Sequence, residues 1–140
     1  MIRWNSCAVV LFIATFLLCT GCGGSPDLLA TTKVNGSVSY QGAAIESGTI
    51  MFFPVAGGKH AIGMISKEGT FTLSTYETGD GAIPGQHKVV INVSYENPDG
   101  IPVPASVPRV PAKYSDLKTT TLTAEVTADG KNQFPFELAP

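Results

Sequence analysis

Two histidines, three cysteines and a thin scatter of carboxylates are the side chains of this sequence that could do chemistry. Acid–base catalysis near neutral pH, or metal binding, would fall first to His60 and His87, since imidazole is the side chain that ordinarily titrates there. Spacing gives neither a partner: no His-x-His or His-x-x-Glu-His pattern occurs, so a metal would need both to converge with a distant carboxylate. His87 falls on the apolar side of a strand-like alternation and is expected to be a half-buried packing residue. His60 follows Gly57-Gly58-Lys59 and is expected on an exposed loop. Nucleophilic catalysis needs a hydroxyl or thiol, a base and an orienting group held together. The chain has no Gly-x-Ser-x-Gly elbow and no serine close in sequence to either histidine. Asp80 with Glu77, or Asp116 with Glu125, could be paired for glycoside chemistry. They read better as turn residues and solvated strand faces, with Asp80, between two glycines, satisfying the N–H groups of a turn. The expectation is a chain with no catalytic site, no metal and no cofactor.

Binding chemistry has one better candidate. The connection 96–114 carries Pro98, Pro102, Pro104, Pro108 and Pro111, half of the chain's 10 prolines, interleaved with Ile101, Val103, Val107 and Val110. Such a segment is extended and stiff, partly polyproline II. Tyr95, Ile101, Pro102, Pro104 and Tyr114 make it a candidate binding loop, since loops carry function on sheet scaffolds. The reading favoured over recognition is that it crosses between sheets, packs its apolar residues on the end of the domain, and uses Tyr114 as an anchor. A glycan-binding face would need two or more coplanar exposed rings, and Tyr40, Tyr76, Tyr95 and Tyr114 are the tyrosines available. The threonines at 119–121 and 123 are β-favouring and solvated.

These residues must be carried by strands. Apolar residues alternate at His87, Val89, Ile91, Val93 and Tyr95, with Val90 alone apolar on the other side. The same period of two runs through Phe71 and Leu73, through Leu122, Ala124 and Val126, through Phe134, Phe136 and Leu138, and through Val34, Val38 and Tyr40. That period marks half-buried strands. Residues 48–54 are apolar on both faces and are expected to be central or covered; 61–66 is a strand whose inward face the pattern does not assign. Gln41-Gly42, Gly57-Gly58, Glu68-Gly69, Pro84-Gly85 and Asp129-Gly130 separate the runs with turn chemistry. Pro135 removes a ladder donor, which places the last strand at an edge. Seven short strands without a capped helical period predict an all-β chain, a seven-stranded antiparallel β-sandwich.

Composition agrees. Charged residues are 14%, against about 25% in ordinary soluble domains. The formal net charge of −2, without a basic stripe, argues against nucleic acid as a partner. The cysteines point elsewhere: Cys7, Cys19 and Cys22 all lie in the first 22 residues. The chain beyond Cys22 therefore has no thiolate, disulfide or cysteine-held metal.

Arg3, an apolar run of 13 residues from Cys7 to Cys19, and Leu18-Cys19-Thr20-Gly21-Cys22 have the three-part form of a secretory signal. The run is shorter than the ~20 residues that span a bilayer. Thr20-Gly21-Cys22 resembles the lipobox of bacterial lipoproteins, although Cys19 stands where leucine is usual. The resemblance implies cleavage between Gly21 and Cys22 and acylation of Cys22. Two or three acyl chains hold a protein stably where one does not. Residues 1–21 are then a signal peptide, 22–31 a flexible tether beginning Gly23-Gly24-Ser25-Pro26, and 32–140 a single domain. The expected place is the cell envelope, lipid-anchored to a bacterial membrane, the outer membrane on its periplasmic or surface side.

Two segments carry a second resemblance. The opening Val34-Asn35-Gly36-Ser37-Val38, turned at Gly42 and anchored at Ile45, and the Glu68-Gly69-Thr70-Phe71-Thr72-Leu73 hairpin resemble carboxypeptidase regulatory-like, or transthyretin-like, domains. Residues 79–89 and 110–116 resemble small lipoproteins of planctomycete type. The resemblance spans about residues 32 to 138 and implies a prealbumin-like (transthyretin-like, Ig-like) fold and no activity. The Tyr-Arg-Gly-Ser tail of hydrolases on that fold is missing; the chain ends Phe136-Glu137-Leu138-Ala139-Pro140. The expectation is a non-catalytic envelope lipoprotein, structural or protein-interacting, held to the membrane through Cys22, with an envelope protein or glycan as partner. A carbohydrate- or peptide-binding module and a hydrolase with an unrecognised site are the alternatives.

Overall fold

A computed structural model describes residues 28–95, 99–102, 104 and 108–140. The signal segment, Gly21, Cys22, the tether through residue 27, and Glu96, Pro98, Val103 and Val107 lie outside the described residues. The described chain is all-β. Its strands are β1 (Val34–Tyr40), β2 (Ala43–Ala44), β3 (Gly48–Pro54), β4 (Ala61–Ile65), β5 (Thr70–Thr72), β6 (Gly85–Val93), β7 (Thr123–Val126) and β8 (Asn132–Leu138). One 3-10 turn, Ala112–Ser115, is the helical element among the described residues. The seven expected runs all contain strand, and β2 is an addition of two residues. Gln41 (φ 52°) and Gly42 (φ 79°) both sit at positive φ between paired Tyr40 and Ala43, the two-residue turn that suits the twist of a hairpin.

One sheet has the order β4-β3-β6-β7 and is antiparallel throughout. In the other, β1 is central. Along one edge β8 runs parallel to it from Val34↔Asn132 to Tyr40↔Leu138. Along the other, β2 faces Ser39 and Tyr40 while β5 faces Asn35 to Ser37. The expectation of a purely antiparallel chain is therefore corrected at β1–β8. The reason is directional: β7 finishes its run at the same end of the molecule where β1 begins, the chain changes sheets there, and β8 leaves in β1's direction. Pro135 is tolerated because β8 pairs only with β1 among the described residues and so is an edge strand.

The corner between β7 and β8 is held by Asn132, which is buried. Its carbonyl oxygen accepts from the Thr127 N–H at 2.9 Å and the Thr127 hydroxyl at 3.2 Å. Its amide nitrogen donates to the Thr127 carbonyl at 2.9 Å and, more weakly, to the Gly130 and Lys33 carbonyls at 3.4 Å. One side chain thus closes the turn and ties it to the start of β1.

The two sheets face each other across one core. Val34, Val38, Phe71, Phe136 and Leu138 come from the first; Ile50, Phe52, Ala61, Ile65, Val89, Ile91, Ala124 and Val126 come from the second. Phe52 is its centre, with ring centroids 6.2 Å from Phe71, 5.7 Å from Phe134 and 6.0 Å from Phe136, the tilted spacings aromatic pairs prefer. Burial of each such side chain stabilises by roughly 1.5–3 kcal/mol, so the core outweighs any single polar contact. Two glycines make room for it. A Cβ on Gly36 would fall on the Phe134 carbonyl and within 2.8 Å of the Phe71 ring. On β4, Gly63 and Ala61 point inward opposite the bulky Ile50 and Phe52, which puts Ile62 and Met64 outside, 41% and 74% exposed.

The strands give the molecule two ends. At the entry end lie Leu28 to Lys33, the turn after β3, the start of β6 and the β7–β8 corner. There Thr32 and Ala82 exchange backbone hydrogen bonds of 2.9 and 3.0 Å. At the far end lie the Gln41-Gly42 turn, the 66–69 turn, and the ends of β6 and β8.

Candidate functional site

The proline-rich connection is rooted at the far end by two tyrosines. Tyr95, just beyond β6, accepts the Val110 N–H through its hydroxyl at 2.6 Å, closing the loop at its neck. The Arg109 guanidinium lies 4.6 Å from the centre of the Tyr95 ring, within the range where a cation is attracted to an aromatic face. Tyr114 sits in the 3-10 turn and is buried. Its hydroxyl donates to the Ala139 carbonyl and accepts from the Ala139 N–H, both at 3.1 Å, using a phenol's capacity to do both. Beyond it, Asp116 accepts the Lys118 N–H at 2.7 Å and Thr120 donates to the Val89 carbonyl at 2.6 Å. The Thr120 bond and the bond from the Val89 N–H to the Leu122 carbonyl hold the returning chain against β6.

Between these roots, Ile101 is 59% exposed, and Pro102 and Pro104 are exposed as well. Of the candidate loop residues, then, three face solvent, Tyr95 is half-buried beneath Arg109, and Tyr114 is inside. Arg109 was not singled out by sequence. Its signal was that it is the one arginine after Arg3, where a planar guanidinium can stack as a lysine cannot.

The titratable groups are dispersed. His87 is fully buried rather than half-buried, 1% exposed, because the chain at Ile83 folds back over the start of β6. Its Nε2 lies 2.7 Å from the Ile83 carbonyl oxygen; a carbonyl only accepts, so this nitrogen carries the hydrogen. Nδ1 is buried and without a hydrogen-bond partner among the described residues. His60 lies just before β4, half-buried rather than exposed, with its ring stacked 5.0 Å from Phe53 on the outer face of the sheet. The two histidines thus point to opposite sides of the same sheet.

Asp80 accepts three backbone N–H groups, from Thr75 at 2.6 Å, Tyr76 at 2.9 Å and Glu77 at 3.1 Å. Burial pushes its pKa up, but the hydrogen bonds from Thr75, Glu77 and Tyr76 outweigh that and hold it below the ordinary 3.8. Thr75 completes the turn by donating to the Gly81 carbonyl at 2.7 Å. Glu77 meets Asp80 through its backbone rather than its carboxylate. Glu125 is exposed on β7 opposite Gln86. No group of three histidine, cysteine, aspartate or glutamate side chains could hold a metal ion among the described residues.

The tyrosines are similarly committed. Tyr40 and Tyr114 are buried, and Lys59 places its ammonium 5.3 Å from the centre of the half-buried Tyr76 ring. What the arrangement can do chemically is contact: a loop closed at its neck, with Ile101, Pro102 and Pro104 exposed and Arg109 beside Tyr95.

Compared with family models, curated proteins and solved structures, the chain matches none. Its function must be argued from its own geometry.

Proposed function

We propose that this chain is a lipid-anchored module of the cell envelope, working without catalysis, and that the connection between Tyr95 and Tyr114 is its interaction surface. The fold we assign is a β-sandwich of the prealbumin, or transthyretin-like, type. Two facing sheets support it, as do the Gly36 opening and the Glu68-Gly69 hairpin that leads into Phe71. The anchor is Cys22, released as the mature terminus by cleavage after Gly21, on a bacterial membrane, the outer one by preference.

One observation carries the functional reading: the chain enters the domain at one end, while the proline-rich loop is rooted at the other. A protein tethered through Cys22 would hold that loop away from the lipid, toward a partner. The loop is closed at its neck by the Tyr95–Val110 bond, which reduces the conformational freedom to be lost on binding. A protein partner fits better than a glycan, since Ile101, Pro102 and Pro104 present apolar surface on the loop and none of the four tyrosines is exposed. The test is site-specific photo-crosslinking in intact envelopes, with the crosslinker at Pro104 or, as a control, at Thr123 on β7. Discrete adducts from Pro104 alone are expected. Equal labelling at both positions, or none from Pro104, refutes the loop as the interaction surface.

A further inference from the structure

The entry end of the domain is apolar where it has no structural need to be. Leu28 and Leu29 are 60% and 50% exposed, and Val55, in the turn after β3, is 63% exposed. They are neighbours. Gly58, in the same turn as Val55, lies so close to Leu29 and Ile83 that a Cβ there would meet their tips at 3.2 and 3.0 Å. Among the described residues, three of the seven large exposed apolar side chains thus gather at this end.

Charge around them is balanced. Lys33, Lys59 and Lys131 are exposed, as are Glu77, Glu125 and Asp129, while Asp80 is held by backbone N–H groups. Leu28 follows Cys22 by only six residues, a distance of at most about 21 Å when fully extended. An acylated Cys22 would therefore keep these side chains within reach of the bilayer at all times.

We infer that the entry end docks on the phospholipid surface, with Leu28, Leu29 and Val55 inserted among the headgroups, so that the domain stands on the membrane instead of swinging from its tether. This rests on the proposed anchoring through Cys22. Amphipathic surfaces of this kind enter the headgroup and upper acyl region by roughly 5–10 Å. Because the surrounding charges cancel, the contact is apolar in origin and insensitive to salt and to anionic lipid.

The test uses the lipidated full chain in phosphatidylcholine vesicles, with an environment-sensitive fluorophore on an introduced thiol. Signal cleavage removes Cys7 and Cys19 and acylation blocks Cys22, so that thiol is the only free one. Ala56→Cys labels the entry end and Lys67→Cys the far end. Lipids brominated high on the acyl chain should quench the Ala56 label several-fold more than the Lys67 label, at low and high salt alike. Leu28→Ser combined with Val55→Ser should abolish the difference; Leu29 is spared because its tip lies over Gly58. Mass spectrometry of Cys22 and vesicle flotation are read on the same samples. A lipidated chain that floats with vesicles but shows equal quenching at both labels overturns the docking and leaves the anchor standing. An unlipidated chain that stays in solution overturns both.

Discussion

Replacing Asn132 by alanine removes the side chain that closes the β7–β8 corner, and the cost can be worked from its bonds. Two are short, from the Thr127 N–H and to the Thr127 carbonyl, both 2.9 Å. The contacts to Lys33 and Gly130, at 3.4 Å, are long enough to add little. A buried backbone group left unpaired costs about 1–3 kcal/mol. The corner is only part-buried, so water can reach some of what is freed, and the lower half of that range applies to each group. The sum is about 2–4 kcal/mol. For a domain of this size each kcal/mol shifts Tm by roughly 4 °C, so a fall of about 8–16 °C is expected. Urea unfolding measures it directly as a drop in midpoint at constant slope. Asn132→Asp, of equal size, keeps the acceptor and loses the donor, and should fall between alanine and the parent near neutral pH. An alanine variant within about 0.5 kcal/mol of the parent, the scatter of ordinary surface changes, would show that the corner is held by its strands and not by this amide.

Two further outcomes concern the Tyr114 hydroxyl and the Asp80 carboxylate. Tyr114→Phe keeps the buried ring and removes the hydroxyl that serves both backbone groups of Ala139. A loss of about 1–2 kcal/mol is expected, with faster amide exchange at Ala139, and unchanged exchange there would refute the anchor. Asp80 has a pKa lower in the folded chain than its ordinary 3.8, so its stabilising effect is complete above that value and is lost as pH falls through the folded pKa. Asp80→Asn should therefore flatten the decline in Tm below about pH 4 relative to the parent, and parallel acid limbs would contradict the assignment.

Much of this architecture was legible because its core residues alternate. Val89 and Ile91 on β6, and Phe136 and Leu138 on β8, are buried where the period of two puts them, and β3, apolar on both faces, lies between β4 and β6. The inward face of β4 could not be read for a physical reason. Two of its three core positions are the small Gly63 and Ala61, because Ile50 and Phe52 already fill that space. The larger Ile62 and Met64 weight the pattern toward solvent. His87 was placed on the correct face but not at its full depth, since depth depends on how the chain at Ile83 folds over it. The parallel pairing of β1 and β8 was hidden because periodicity reports faces and says nothing about which strand lies beside which. The candidate site was legible as a proline-rich connection between two tyrosines. Its neck was not, because the Tyr95 hydroxyl meets Val110 only after the chain has turned back.

The parallel pairing of β1 with β8 sets an order for assembly. During synthesis β1 emerges before the other strands, yet the partner for one whole side of it is the last of the described strands to arrive. Until then that side presents unpaired N–H and C=O groups, the template on which foreign strands add. Contacts so distant along the chain also slow folding, because the intervening loop must be closed before they reward it. A chain cut short before Asn132 would keep most of its core-forming residues and still carry an open seam. Its characteristic failure would be self-association through β1, more than simple unfolding.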